Sequence, residues 1–123
     1  MNVNSGVVNL GSANRLADAA AVTLAGGTLG MSTFNDTVGS FAISSGTLDG
    51  SGTLTAATYG LNGGTVSANL GAGTATVATG TTALNGTLGA TTVNVNSGSL
   101  NLGSADRLSD TAAITVAGGT LGM

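Results

Sequence analysis

The sequence predicts an all-β chain folded as a parallel β-helix, or β-solenoid, with turns of about 18 residues. Three observations support this prediction. A six-residue pattern of alternating apolar residues closed by glycine recurs along the chain, a longer block returns almost unchanged, and the 123 residues include no proline and only 6% charged residues. Apolar alternation indicates strands, and short periods of this kind are typical of solenoids.

A long repeat organises the chain. Residues 2–31 return at residues 94–123 without gaps, at an offset of 92 residues, and most differences exchange similar side chains. Self-similarity at a fixed period is the signature of repeat architectures. We therefore interpret residues 1–123 as one solenoid segment, with one long repeat over 1–92 and the start of the next copy over 93–123.

Each six-residue pattern ends in a glycine that we interpret as a corner. A sharp bend favours positive φ, a conformation that glycine adopts without steric cost. Five such turns fill the long repeat, which sets the predicted length of each turn. The predicted corner glycines are Gly6, Gly27, Gly46, Gly64, Gly80, Gly98 and Gly119.

The residues before each glycine predict a strand with one buried face. Successive side chains of a strand point to opposite faces, so every second residue points inward. Stacking the turns places these inward residues in a column that is aliphatic in every copy. The predicted core column is Val3, Leu24, Ile43, Leu61, Val77, Val95 and Val116.

Two further legs complete each predicted turn. A second inward column follows the corner and contains one polar member, Thr82, among Val8, Leu29, Leu48, Val66, Leu100 and Leu121. The third leg varies in length. Its predicted inward residues are Leu16, Phe34, Leu54, Leu70, Leu88 and Leu108. The sterics of parallel crossovers predict right-handed winding.

Composition argues against several classes of function. The chain has no Cys and no His, and its net charge is −3 with two Arg as the basic side chains. Triad catalysis, zinc sites and nucleic-acid binding need the residues that are missing. The aspartates fall at scattered phases of the repeat, so they do not form the cluster of carboxylates that cleavage of a polysaccharide would require. No apolar run reaches the roughly 18 residues that cross a bilayer. We predict no catalysis, no cofactor or metal, no nucleic-acid partner and no membrane insertion by this segment.

One loop carries an Arg and an Asp in both copies of the long repeat. Arg15 with Asp18, and Arg107 with Asp110, occupy corresponding positions. We predict that the Arg and Asp of each pair bond to each other as an ion pair, or to backbone groups of the loop, and so fix the loop. Contact with a carbohydrate or an ion is the functional alternative.

A series of motifs in the second copy is similar to a known family. The motifs are a strand at residues 91–93, a Gly-Ser-Leu step at 98–100, a loop over 104–111 and a closing Ile-Thr-Val-Ala-Gly-Gly-Thr-Leu over 114–121. Together they resemble the autotransporter-associated β-strand repeat, also called the passenger-associated transport repeat. The resemblance implies a long β-helix in a large, secreted bacterial surface protein, often an adhesin. The signal peptide and membrane barrel of such proteins are not in this segment.

We therefore expect a non-catalytic structural module of a long extracellular or cell-surface bacterial protein, acting as a stiff adhesin stalk or filament. Its expected partners are neighbouring repeats of the same protein, with end-to-end association between copies because uncapped strand edges pair readily. Two alternatives remain open. Outward polar ladders that include Asn4, Asn62 and Asn96 would bind a host or surface glycan, or copies would stack end to end as a self-assembling fibre.

Overall fold

The computed structural model describes all residues from Met1 to Met123 and contains strands but no helix. About seven turns stack in parallel, roughly 18 residues apart, which confirms the predicted all-β parallel solenoid. The strands are β1 (Asn2–Val3), β2 (Val7–Asn9), β3 (Ala21–Gly30), β4 (Asp36–Thr37), β5 (Ser40–Asp49), β6 (Thr53–Thr55), β7 (Thr58–Leu61), β8 (Gly64–Val66), β9 (Asn69–Leu70), β10 (Thr74–Val77), β11 (Thr81–Leu84), β12 (Thr92–Val95), β13 (Ser99–Leu102), β14 (Ala113–Val116) and β15 (Thr120–Gly122).

Two parallel sheets make up the solenoid. The larger sheet has 12 strands and supplies two legs of each turn, joined where the long strands β3 and β5 pass through the corner. The smaller sheet consists of β4, β6 and β9 and supplies the third leg. Every strand pair is parallel and joins one turn to the next, so each turn depends on its neighbours for backbone hydrogen bonds.

The first leg carries the predicted core column. Strand pairing sets its members above one another. The six side chains with 3% exposure or less are Val3, Leu24, Ile43, Leu61, Val77 and Val95. The prediction is wrong for Val116, which is 48% exposed because no turn of this segment lies over β14.

The second leg departs from its predicted column at Thr82. Pairing sets Leu84 beside Val66, and it sets Thr82 beside Gly64. Paired residues of these two neighbouring turns are two positions further apart in the sequence on the second leg than on the first leg. The two additional residues lie in the corner before Thr82. Thr82 remains fully buried, and its hydroxyl donates to the carbonyl oxygen of Gly63 at 3.3 Å. The bond removes the cost of burying that hydroxyl unpaired.

The third leg has a buried aspartate where the sequence predicted a phenylalanine. Pairing sets Asp36, and not Phe34, beside Leu54. The column then continues through Leu70, Leu88 and Leu108. Asp36 is 2% exposed, whereas Phe34 is partly buried at the edge of the core. Hydrogen bonds hold this register, since the Asp36 carboxylate accepts the backbone N–H groups of Arg15 and Leu16 in the turn below.

Five of the predicted corner glycines have positive φ. The angles range from 69° to 88° at Gly6, Gly46, Gly64, Gly80 and Gly98. These residues therefore occupy the conformation that glycine adopts most easily.

Gly27 and Gly119 are not positive-φ corners, so the prediction is wrong in its reason at both positions. Strand β3 passes through the Gly27 corner with register shifts on either side of Ala25. Glycine is required at both positions because a Cβ would collide with the neighbouring turn. An added Cβ at Gly27 would lie 2.5 Å from Val3 Cγ1, and one at Gly119 would lie 2.7 Å from Val95 Cγ1.

Tyr59 is the largest side chain in the core and brings a hydroxyl into it. The residue is 1% exposed. Its oxygen accepts the Ala56 N–H at 2.9 Å, and its O–H lies 3.2 Å from the carbonyl oxygen of Leu54 and 3.3 Å from that of Ala72. Burial raises the pKa of Tyr59 above its ordinary value of 10.0, because the phenolate would lose its hydration.

We expect alkali to destabilise the fold through Tyr59. Below pH 10 the phenol is neutral in both states and its stabilisation is complete; as the pH rises through 10, the unfolded chain ionises first and the stability falls. The loss should approach about 1.4 kcal/mol per pH unit until the raised folded pKa is passed. Urea unfolding across this range, followed by circular dichroism, measures the effect. The Tyr59→Phe variant should lack the fall, and an unchanged fall in that variant would contradict the assignment.

Candidate functional site

The carboxylate of Asp36 binds the loop of the turn below. Its Oδ2 accepts the backbone N–H groups of Arg15 at 2.8 Å and Leu16 at 2.9 Å, and its Oδ1 accepts the N–H of Thr37 at 2.9 Å. The neighbouring Asn14 N–H donates to the carbonyl oxygen of Asn35 at 3.3 Å. A buried carboxylate is well stabilised by such charge-assisted bonds. Asp36 therefore acts as a latch between two turns.

The predicted Arg–Asp ion pairs do not form. Arg15 Nε donates to Ser12 Oγ, while Asp18 is exposed and makes no side-chain bond. In the second copy, Arg107 Nε is buried without a hydrogen-bond partner, and Asp110 is exposed. The predicted ion pairs are wrong in both copies; the loop of the first copy is held through its backbone N–H groups by Asp36, and both Asp18 and Asp110 stay in solvent.

The loop of the second copy has the same backbone shape but lacks the latch. Asp106 has φ 56°, close to the φ of 54° at Asn14. The N–H groups of Arg107 and Leu108 donate to no backbone or side-chain acceptor. Successive N–H groups in a turn with a left-handed residue form a concavity that suits an anionic oxygen.

Exposed apolar side chains concentrate at the two ends of the solenoid. The large apolar residues that are exposed are Met1, Val7, Val8, Ile114, Val116 and Met123. All of them lie in the first or last turn. Each end also presents strands that pair on one side only, which are β1 and β2 at one end and β14 and β15 at the other. Such edges are ready templates for further strand pairing.

Clefts open at both ends and involve corresponding parts of the long repeat. The C-terminal cleft, of about 780 Å³, is lined by residues 102–108, Ile114 and Met123. The N-terminal cleft, of about 580 Å³, is lined by residues 8–12 and 15–16. Both lie in the terminal turns, where the stack of turns stops.

Polar side chains on the third leg tie the turns together. Asn35 Oδ1 accepts the N–H of Thr53 at 2.9 Å, and Asn69 Oδ1 accepts both the N–H and the hydroxyl of Thr87 at 3.0 Å. These bonds occupy the amide oxygens within the solenoid. The ladder therefore contributes to the stacking of turns.

The asparagines proposed for a glycan face differ in their surroundings. Asn62 is half-buried, and its Oδ1 accepts the N–H of Ala78 at 3.0 Å. Asn4 and Asn96 are exposed at opposite ends of the solenoid and make no side-chain hydrogen bond. The structure does not bring the three amides together.

The remaining features do not assemble a second site. No three acidic side chains gather into a group that would hold a metal ion. No helix is present that is long and apolar enough to cross a bilayer. The end turns and the second-copy loop over residues 104–108 are thus the features with unused binding capacity.

Comparison with known proteins adds no relative. The chain matches no protein-family model, no curated protein and no solved structure. The resemblance to the autotransporter-associated β-strand repeat stays a prediction.

Proposed function

We propose that this chain is a non-catalytic structural segment of a long solenoid rod, in which further repeats stack on both ends. The observation that carries the proposal is that the two copies of the repeated sequence form the two uncapped ends of the solenoid. Residues 94–123 repeat residues 2–31, and both copies form end turns with exposed apolar side chains and one-sided strand edges. A solenoid repeat buries its apolar side only against its neighbours, so these end turns suit a place within an array.

The rod serves as a stiff stalk of a bacterial adhesin or surface filament that carries binding parts away from the cell. The resemblance of residues 90–123 to the autotransporter repeat supports this setting. The composition supports it further, because two Arg and no Lys leave few sites for proteases that cut after basic residues. The continuous backbone ladders of the 12-stranded sheet give such a stalk its stiffness.

Chains of one, two and three long repeats test this proposal by small-angle X-ray scattering. Turns about 4.8 Å apart predict that each added repeat of five turns lengthens the particle by roughly 24 Å at constant cross-section. The free energy of unfolding should rise with each repeat, because every new interface buries an end turn. A cross-section that grows in place of the length would mean that the repeats fold back, and it would refute the rod.

A self-assembling fibre is the second candidate, favoured by the apolar exposure at both ends. In this case the C-terminal turn of one chain would pair with the N-terminal turn of the next. Sedimentation and electron microscopy of the single segment at rising concentration separate the two candidates. Concentration-dependent filaments would support the fibre, and a monomer at all concentrations would exclude it.

A further inference from the structure

The Asp36 latch shows how one turn of this solenoid recognises the next. Residues 32–50 lie over the first copy of the repeat and deliver Asp36 to the N–H groups of Arg15 and Leu16. The carboxylate is 2% exposed, so the contact is sealed from solvent. Bonds between a buried carboxylate and N–H groups are specific as well as strong, because no apolar side chain can replace the acceptor.

The second copy presents the same surface with its acceptor missing. Corresponding residues occupy the loops 12–16 and 104–108, with similar φ at their left-handed residue. The turn that follows also recurs, since Ala20 N–H donates to Ala17 oxygen at 2.9 Å and Ala112 N–H donates to Ser109 oxygen at 3.1 Å. The loop is therefore shaped for a carboxylate before one binds.

Apolar contacts match in the same way. Three pairs join residues 32–50 to the first copy: Val22 with Phe41, Leu24 with Ile43 and Leu29 with Leu48. The second-copy equivalents of the first members are Ile114, Val116 and Leu121. Ile114 and Val116 are 43% and 48% exposed, and Ile114 lines the cleft beside the second-copy loop.

We propose that the C-terminal end of this segment is an acceptor site for another copy of residues 32–50, whose Asp36-equivalent carboxylate accepts the N–H groups of Arg107 and Leu108. The inference rests on the proposed stacking of repeats and adds the recognition element. The cleft of about 780 Å³ beside residues 102–108 receives the loop that bears the carboxylate. The aspartate thus selects the correct turn for this end, because a turn without it would bury two unpaired N–H groups.

Hydrogen exchange measured by NMR tests the site in the full chain and in the full chain extended after Met123 by a copy of residues 32–50. In the unextended chain, the Arg107 and Leu108 amides should exchange quickly, while those of Arg15 and Leu16 are protected. The extension should slow exchange at Arg107 and Leu108 by about tenfold or more.

The matched control carries Leu, the residue found at Leu54 and Leu70 of the same column, in place of the copied Asp36, because leucine fills the position without a hydrogen-bond acceptor. This extension should protect amides of β14 and β15, because its strands still pair, but it should leave Arg107 and Leu108 in fast exchange. Asp36→Leu in the unextended chain should release the Arg15 and Leu16 amides in the same way, which checks the latch where it is observed.

Three outcomes would overturn the inference. Equal protection of Arg107 and Leu108 by both extensions would remove the carboxylate from recognition and leave the stacking of repeats intact. Absence of protection in β14 and β15 with either extension would defeat the stacking itself, and with it the proposed function. Protection of the two amides that grows with the concentration of the unextended chain would assign the site to the N-terminal end of a second chain.

Discussion

Replacing Val95 with aspartate is expected to lower the free energy of unfolding by about 4 kcal/mol or more, because it places an unpaired charge in the core. Val95 is fully buried between Val77 and Val116. Chemical denaturation followed by circular dichroism measures the loss. Where the aspartate variant does not fold, Val95→Ala gives a graded loss of about 2 kcal/mol from the missing methyl groups and the cavity.

The neighbouring Asn96→Asp is the matched control. Asn96 is exposed and makes no side-chain hydrogen bond. Surface substitutions of this kind change the stability by roughly 0.5 kcal/mol or less. Equal losses from Val95→Asp and Asn96→Asp would contradict the inward and outward phase of this strand.

Adding a single methyl group at Gly46 is expected to cost about 3 kcal/mol. Gly46 has φ 88°, which is unfavourable for a residue with a Cβ, and that Cβ would lie 2.2 Å from the carbonyl oxygen of Gly27. The strain of the left-handed region and the overpacking each contribute about 1–2 kcal/mol. Urea unfolding of Gly46→Ala measures the sum.

Gly60→Ala is the control for this substitution. Gly60 does not have positive φ, and an added Cβ would meet its nearest atoms at 3.5 Å, an ordinary contact. We expect Gly60→Ala to be neutral or slightly stabilising, because alanine restricts the unfolded chain more than glycine does. A loss at Gly60 as large as that at Gly46 would show that the corner geometry is not the cause.

The regular part of the fold was predictable because each of its signals is local. Apolar alternation set the inward phase of the first leg, and members of the core column from Val3 to Val95 are buried. Val116 differs for a reason that alternation does not contain, since burial also needs a turn above the strand. Local pattern therefore predicts which face is apolar, but burial depends on what covers that face.

The binding features at the ends were predicted only in part. The strand edges and their tendency to associate follow from a repeat that stops without a cap. The Arg and Asp residues of the loop stand out in a chain with little charge, yet neither forms the expected pair. Asp36 received no role from the sequence, because the paired residues of this leg are 16 to 20 positions apart and both position 34 and position 36 lie within that range of Leu54. Apolar preference favoured Phe34, two positions away, because a charge is seldom buried.

By itself, the sequence determined the parallel solenoid, its period and the apolar column of its first leg, because alternation and repetition require only neighbouring residues. Only the tertiary structure decided the register of the other legs. A longer step on the second leg than on the first moves Thr82 beside Gly64, and the spacing of the third leg brings Asp36 to the loop at Arg15. The register of each leg depends on how many residues lie in the preceding corner. Hydrogen bonds between neighbouring turns fix that register.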